Sequence, residues 1–171
     1  VLAGGSISAE RGTMADSVLS RGISRYQYFL GKWHARLVTV LGTYLGLGLL
    51  AMTCGLILLH EDLSLSGGLV ALATVATLLA VVITCGVTVS AIANSTVVGI
   101  AVLWLLLYGG GFALSLLPSA YLTPDRILQR LPHILHGYYN LEDLGRLVGW
   151  SCGCSCLMAL VGMGYFARRD V

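Results

Sequence analysis

Charge is what this sequence has least of. Only 11% of its 171 residues are Asp, Glu, Lys or Arg, against about 25% in an ordinary soluble domain. From Leu63 to Pro124 there is no charged residue at all. A soluble domain of this length cannot hide so long an uncharged, mostly apolar stretch. A bilayer accommodates it at about 20 residues per spanning helix. Other absences narrow the function classes. The Lys and Arg residues are few and crowd only one end, which excludes a nucleic-acid surface. The chain has no phosphate loop: Gly31-Lys32 lacks the upstream glycine, which would fall at Tyr26, and Trp33 follows the lysine. There is no Ser/His/Asp pattern, no H-E-x-x-H and no pair of intramembrane carboxylates, so no catalytic residue is expected. No histidine lies mid-span, which disfavours haem ligation in the bilayer. The lack of an intramembrane acid gives proton-coupled transport little support.

What remains is apolar and helical. Hydrophobic residues make up 57% of the chain, with a mean hydropathy of +0.86. The apolar runs are long and continuous rather than short and alternating, which predicts spanning helices and not barrel strands. The fold class expected is an all-α, polytopic membrane protein with four spans, near residues 37–59, 67–89, 95–117 and 147–167. A first domain, 1–36, reads as a cytoplasmic segment, and 37–171 as the transmembrane domain with an outer loop over 118–146. Five of the ten Lys and Arg residues, Arg11, Arg21, Arg25, Lys32 and Arg36, precede the first span. With Arg168 and Arg169 they lie on one side under this topology. Arg126, Arg130 and Arg146 lie on the other. The positive-inside rule then puts the N-terminal segment and the C-terminus in the cytoplasm, and the lipid bilayer is the first partner.

Local signals agree with these elements. Thr13-Met14-Ala15-Asp16 reads as a capping box opening a short helix to Ser20, ended near Gly22. Ser24-Arg25-Tyr26-Gln27 is a second box that starts the helix becoming span one, and Tyr26, Tyr28, Phe29 and Trp33 fall near the cytoplasmic interface. Val18 and Leu19 give the first short helix an apolar side, framed by Glu10, Arg11, Asp16 and Arg21, as on the rim of a protein interface. In the outer loop, Thr123-Pro124 reads as an N-cap with proline at N1. Ile127, Leu128 and Leu131 share the apolar face of the helix that follows, Pro132 interrupts it, and the pieces lie at the outer interface.

Several motifs leave two readings open. Gly42 and Gly46 in span one, and Gly145, Gly149 and Gly153 at the start of span four, have the spacing that lets helices approach closely, within one subunit or between subunits. Gly109-Gly110-Gly111 reads as tight packing or as a broken segment beside a pathway. In Cys152-x-Cys154-x-Cys156 a helix puts Cys152 and Cys156 on one face and Cys154 away from it, so these read as small apolar residues rather than ligands of one metal. His133 and His136 come nearest to a metal-ligating pair, joined by His60 in an outer copper or zinc site. The alternative is histidines that only solvate the loop.

One block goes further. Glu10-x-Gly12-Thr13, Leu19-Ser20, Ile23-Ser24-Arg25 and Leu30-Gly31-Lys32 resemble the E-x-G-T-L…L-L-S-x-P-I-S-R…L-G-K pattern of type-2 ABC transporter permeases. The end, Phe166-Ala167-Arg168-Arg169-Asp170-Val171, resembles the F-x-R-R-D ending of that family. Met14 and Val18 stand where the pattern has Leu, and Gly22 where it has Pro, which bears on how rigid the turn there is. The resemblance implies six spans, of which this chain carries the last four, with Val1 to Ala3 as the end of the second. It implies that Glu10, Gly12, Thr13, Asp16, Val18, Leu19, Arg21 and Arg25 form a coupling segment docked on a separate cytoplasmic ABC ATPase. That partner would bind ATP and Mg, and this chain would bind no cofactor. It also implies a second permease copy, an outer gate carrying Ile127, Leu128 and Leu131, and export across the cell membrane. A membrane assembly or anchor subunit, and a membrane metal or redox protein, are the competing readings.

Overall fold

The computed structural model describes residues 24–58, 64–93, 95–116 and 124–168. Among them the protein is helical throughout, with no strand. The helices are α1 (Arg25–Leu58), α2 (Leu65–Ile92), α3 (Thr96–Ser115), α4 (Pro124–Leu135) and α5 (Leu141–Arg168). Four of these, α1, α2, α3 and α5, are long and apolar enough to cross a membrane. The Thr13–Ser20 helix and Thr123 lie outside the described residues.

Helix α1 starts where its local chemistry says. Ser24 Oγ accepts from Gln27 N–H at 3.3 Å, and Ser24 N–H donates to Gln27 Oε1 at 3.0 Å, so the capping box is formed in both directions. The helix then runs unbroken through residue 36 into the apolar span. At about 1.5 Å per residue, its 34 residues overshoot a hydrocarbon core of about 30 Å. The overshoot carries the aromatic cluster. It is not a simple interfacial belt, because Phe29 is only 1% exposed. Phe29, Trp33, Leu37 and Val40 recur at helical spacing and turn that face onto Ile83, Val87 and Ala91 of α2. Tyr26 alone of the four is largely exposed.

Helix α2 is the axis of the bundle and touches every other helix. Its contacts also set direction. Trp33 meets Thr84, Gly48 meets Leu72 and Met52 meets Gly68, so α1 and α2 are antiparallel. Helix α5 begins beside α4 and ends beside Phe29 and Thr88, parallel to α2. Threonine hydroxyls along α2 donate to carbonyls one turn back: Thr74 to Val70 at 2.7 Å, Thr77 to Ala73 and Thr84 to Ala80 at 2.8 Å. In hydrocarbon such a donor has no water to turn to, so its own helix satisfies it.

Two boundaries move. Span four begins at Leu141 rather than near Leu147. Asn140 caps it through Oδ1 to Glu142 N–H at 3.0 Å, and the polar first turns are tied by Arg146 to Glu142 at 2.6 Å. A polar start therefore belongs to the helix without belonging to its apolar span. Pro132 does not end α4, which continues to Leu135. The proline removes one hydrogen bond close to the C-terminus, and the helix closes just beyond it in a Schellman turn. Tyr138 N–H donates to His133 O at 3.0 Å and Gly137 N–H to Ile134 O at 2.9 Å. Gly137 takes the left-handed conformation that turn requires, at φ 90°.

Candidate functional site

The two ends of the bundle are built differently. At the end that holds Ser24, α1, α2 and α5 are clamped by side chains. Trp33 Nε1–H donates to Thr84 Oγ1 at 3.0 Å, and that hydroxyl donates onward to Ala80 O. Thr88 Oγ1 donates across to Met158 O of α5 at 3.0 Å. Gly162 makes this approach possible. A Cβ there would lie 3.0 Å from both Phe29 Cζ and Thr88 Oγ1. Interhelical hydroxyl bonds at small-residue contacts are what hold helices together where lipid gives no hydrophobic drive.

At the other end α4 lies across the bundle, held by backbone. Ser64 N–H donates to Leu135 O at 3.2 Å, and Gly67 N–H is capped by Ser64 Oγ at 2.8 Å. A Cβ on Gly67 would lie 2.8 Å from Leu135 O and nearer still to Ile134 O, so only glycine fits. A terminal carbonyl of α4 thus accepts from the N-cap residue of α2, so the negative end of one helix meets the positive end of the other. Clefts flank α4 on both sides. One, of about 90 Å³, lies against α5, with Arg130, Tyr138, Tyr139 and Asp143 above Leu144 and Leu147. The other, of about 230 Å³, opens toward α1 and α2 between Tyr44, Met52, Leu72 and Leu131.

The expected residues fall unevenly across this frame. Glu10, Gly12, Thr13, Asp16, Val18, Leu19, Arg21 and His60 lie outside the described residues, and Arg25 opens α1. Ile127 is buried and Leu131 half-buried, but Leu128 is 52% exposed. The buried edge of α4 is Ile127, Leu131 and Ile134, and Leu128 is turned about 100° from Ile127. Among the described residues, no atom outside the local helix backbone lies within 4 Å of where a Cβ would stand on Gly42, Gly46, Gly145, Gly149 or Gly153. Their spacing meets no other helix among the described residues. Close approaches among the described residues include Gly48, Gly67, Gly68 and Gly162, which spacing did not single out. Gly109, Gly110 and Gly111 lie within an unbroken α3, so the helix is not broken there, and no other described residue packs against them. Cys152, Cys154 and Cys156 are exposed on α5 as free thiols, and His133 and His136 are exposed. Among the described residues no three His, Cys, Asp or Glu side chains gather as a metal site.

Sequence reasoning missed Ser64, Thr84, Thr88 and Gly162. Ser64 carried a signal, a serine three residues before Gly67 at the head of an apolar run. The others carried none, since a Thr or Gly in an apolar helix does not say which neighbour it meets. Comparison of the chain with protein-family models, with curated proteins and with solved structures finds no match.

Proposed function

We propose that this chain is the transmembrane permease subunit of an ATP-binding-cassette exporter, powered by ATP that a separate cytoplasmic subunit hydrolyses. The observation that carries this reading is the block Glu10 to Lys32, which leads through the Ser24 capping box straight into α1. A rigid, capped start to a spanning helix suits a lever. A displacement arriving at Ser24 would pass directly into α1. Phe29 and Trp33 would pass it to α2, and Phe29, through its seat on Gly162, to α5. In this reading the N-terminal segment and C-terminus face the cytoplasm, as their basic residues favour. Helix α4 closes the outer end with Ile127 and Leu131 toward the bundle. A second permease copy completes the translocation path, and this chain performs no catalysis of its own.

Docking through Glu10 and Asp16 is tested by reversing both charges. Glu10→Lys with Asp16→Lys is expected to lose both co-purification of the ATPase and its stimulation by the membrane subunit. Wild-type levels of both in a well-folded variant would sink the assignment.

A further inference from the structure

We propose that the cleft between α4 and α5 binds the headgroup of a zwitterionic phospholipid, with Arg130 on the phosphate and Asp143 on the ammonium group. The inference does not depend on what the chain transports. Depth is the first argument. Helix α5 has 28 residues and spans about 42 Å, beyond the roughly 30 Å of hydrocarbon. Its first turns, with Glu142, Asp143 and Arg146, therefore stand in the headgroup layer, and Leu147 is its first buried apolar residue. The cleft straddles that boundary, with Leu144 and Leu147 at its apolar side and Tyr138 and Tyr139 beside the charges. Tyrosine favours this level of a bilayer.

Charge is the second argument. Glu142 is taken by Arg146, but among the described residues neither Arg130 nor Asp143 is in an ion pair. One cation and one anion thus line the same 90 Å³ cleft. The α5 amide at Glu142 is already capped by Asn140, so the side chains and not the helix end would do the binding. A guanidinium holds a phosphodiester through paired N–H donors. A carboxylate in a cleft that tyrosines also line holds an ammonium by charge, and the rings can add cation–π attraction. An anionic headgroup would satisfy Arg130 and leave Asp143 facing a negative ligand. A zwitterionic one satisfies both.

The test uses the full chain, delipidated in detergent and titrated by native mass spectrometry with phosphatidylethanolamine and phosphatidylglycerol of matched acyl chains. Wild type should bind phosphatidylethanolamine about fivefold more tightly, as expected for one partly screened charge contact of about 1 kcal/mol. Asp143→Asn should abolish the preference, and Arg130→Gln should weaken both lipids. Tyr138→Leu, at a side chain that is largely exposed and outside any helix, should lower phosphatidylethanolamine binding alone. Equal binding of both lipids by wild type, or an undiminished preference in Asp143→Asn, would overturn the proposal. Glycerophosphoethanolamine, the same headgroup without acyl chains, should bind wild type no better than Asp143→Asn. Binding of it as tight as the lipid would assign the cleft to soluble zwitterions instead.

Discussion

Helices α2 and α3 follow one another without a charged residue in either, and both are apolar enough to span a bilayer. Their places in the molecule are opposite. In α2 every residue from Ile83 to Ala91 is buried, on all sides of the helix. In α3 the large side chains stand outside: Val97, Trp104, Leu105, Tyr108 and Phe112 are all more than half exposed. Trp104 and Tyr108 stack on each other at 4.6 Å rather than on a neighbouring helix. The difference lies in side-chain size and hydroxyl content. The buried stretches of α2 alternate apolar residues with Gly67, Gly68, Ala71, Thr74, Thr84, Thr88 and Ser90. Small residues let backbones approach, and hydroxyls bond across the gap. Helix α3 has no Ser or Thr between Thr96 and Ser115, and its Gly109, Gly110 and Gly111 meet no other described residue, so acyl chains solvate its bulky apolar surface as well as another helix would. Apolarity places a helix in the membrane, and small residues interleaved with hydroxyls that meet a neighbour place α2 at the centre.

The largest effect expected from this contrast is at Gly67. Gly67→Val would push a side chain into the Ile134 and Leu135 carbonyls, which cannot move without undocking α4. A cost of about 3 kcal/mol or more is expected, read as loss of monodisperse, folded protein in detergent. Gly67→Val at wild-type stability would break the close-packed account of α2. Next comes α4, which has its own inner and outer faces. Ile127→Asp buries a charge and should cost about 2–3 kcal/mol, while Leu128→Asp should cost under about 1 kcal/mol, both from thermal unfolding. Equal losses would mean that Leu128 is covered in the working assembly. Thr88→Val removes the bond to Met158 and keeps the shape, so about 0.6 kcal/mol, and at most about 1.7, should be lost. The smallest change is on α3. Gly110→Ala meets open space within an unbroken helix and should stabilise by about 0.4–1 kcal/mol. Destabilisation there would show that α3 is packed against a second chain.

Local features were legible because they are complete within a few residues. The Ser24–Gln27 box needs only its own four residues, and both of its bonds are present. Proline at the start of α4 needs only its fixed φ and its missing donor. The amphipathic face of α4 was legible as a face but not at its edge. Ile127, Leu128 and Leu131 share an apolar arc, and the choice between Ile134 and Leu128 as the third member of the buried edge belongs to the neighbours. Pro132 shows the limit of a local rule, since a C-terminal turn that closes on Gly137 tolerates it.

The sequence by itself determined that the chain is a set of spanning helices. Long uncharged apolar runs have one favourable solvent, and a backbone in that solvent must satisfy itself. It also determined where α1 begins, because a capping box acts over three residues. Only the tertiary structure decided which helix is central, which glycines are contacts, and that α4 docks end-on against α2. Each of those depends on what lies opposite a residue, and spacing along one helix is the same whether the groove it forms is filled or empty. Gly42 and Gly46 have the spacing and meet no other helix among the described residues, while Gly162 has no small residue four positions to either side and receives Phe29 and Thr88.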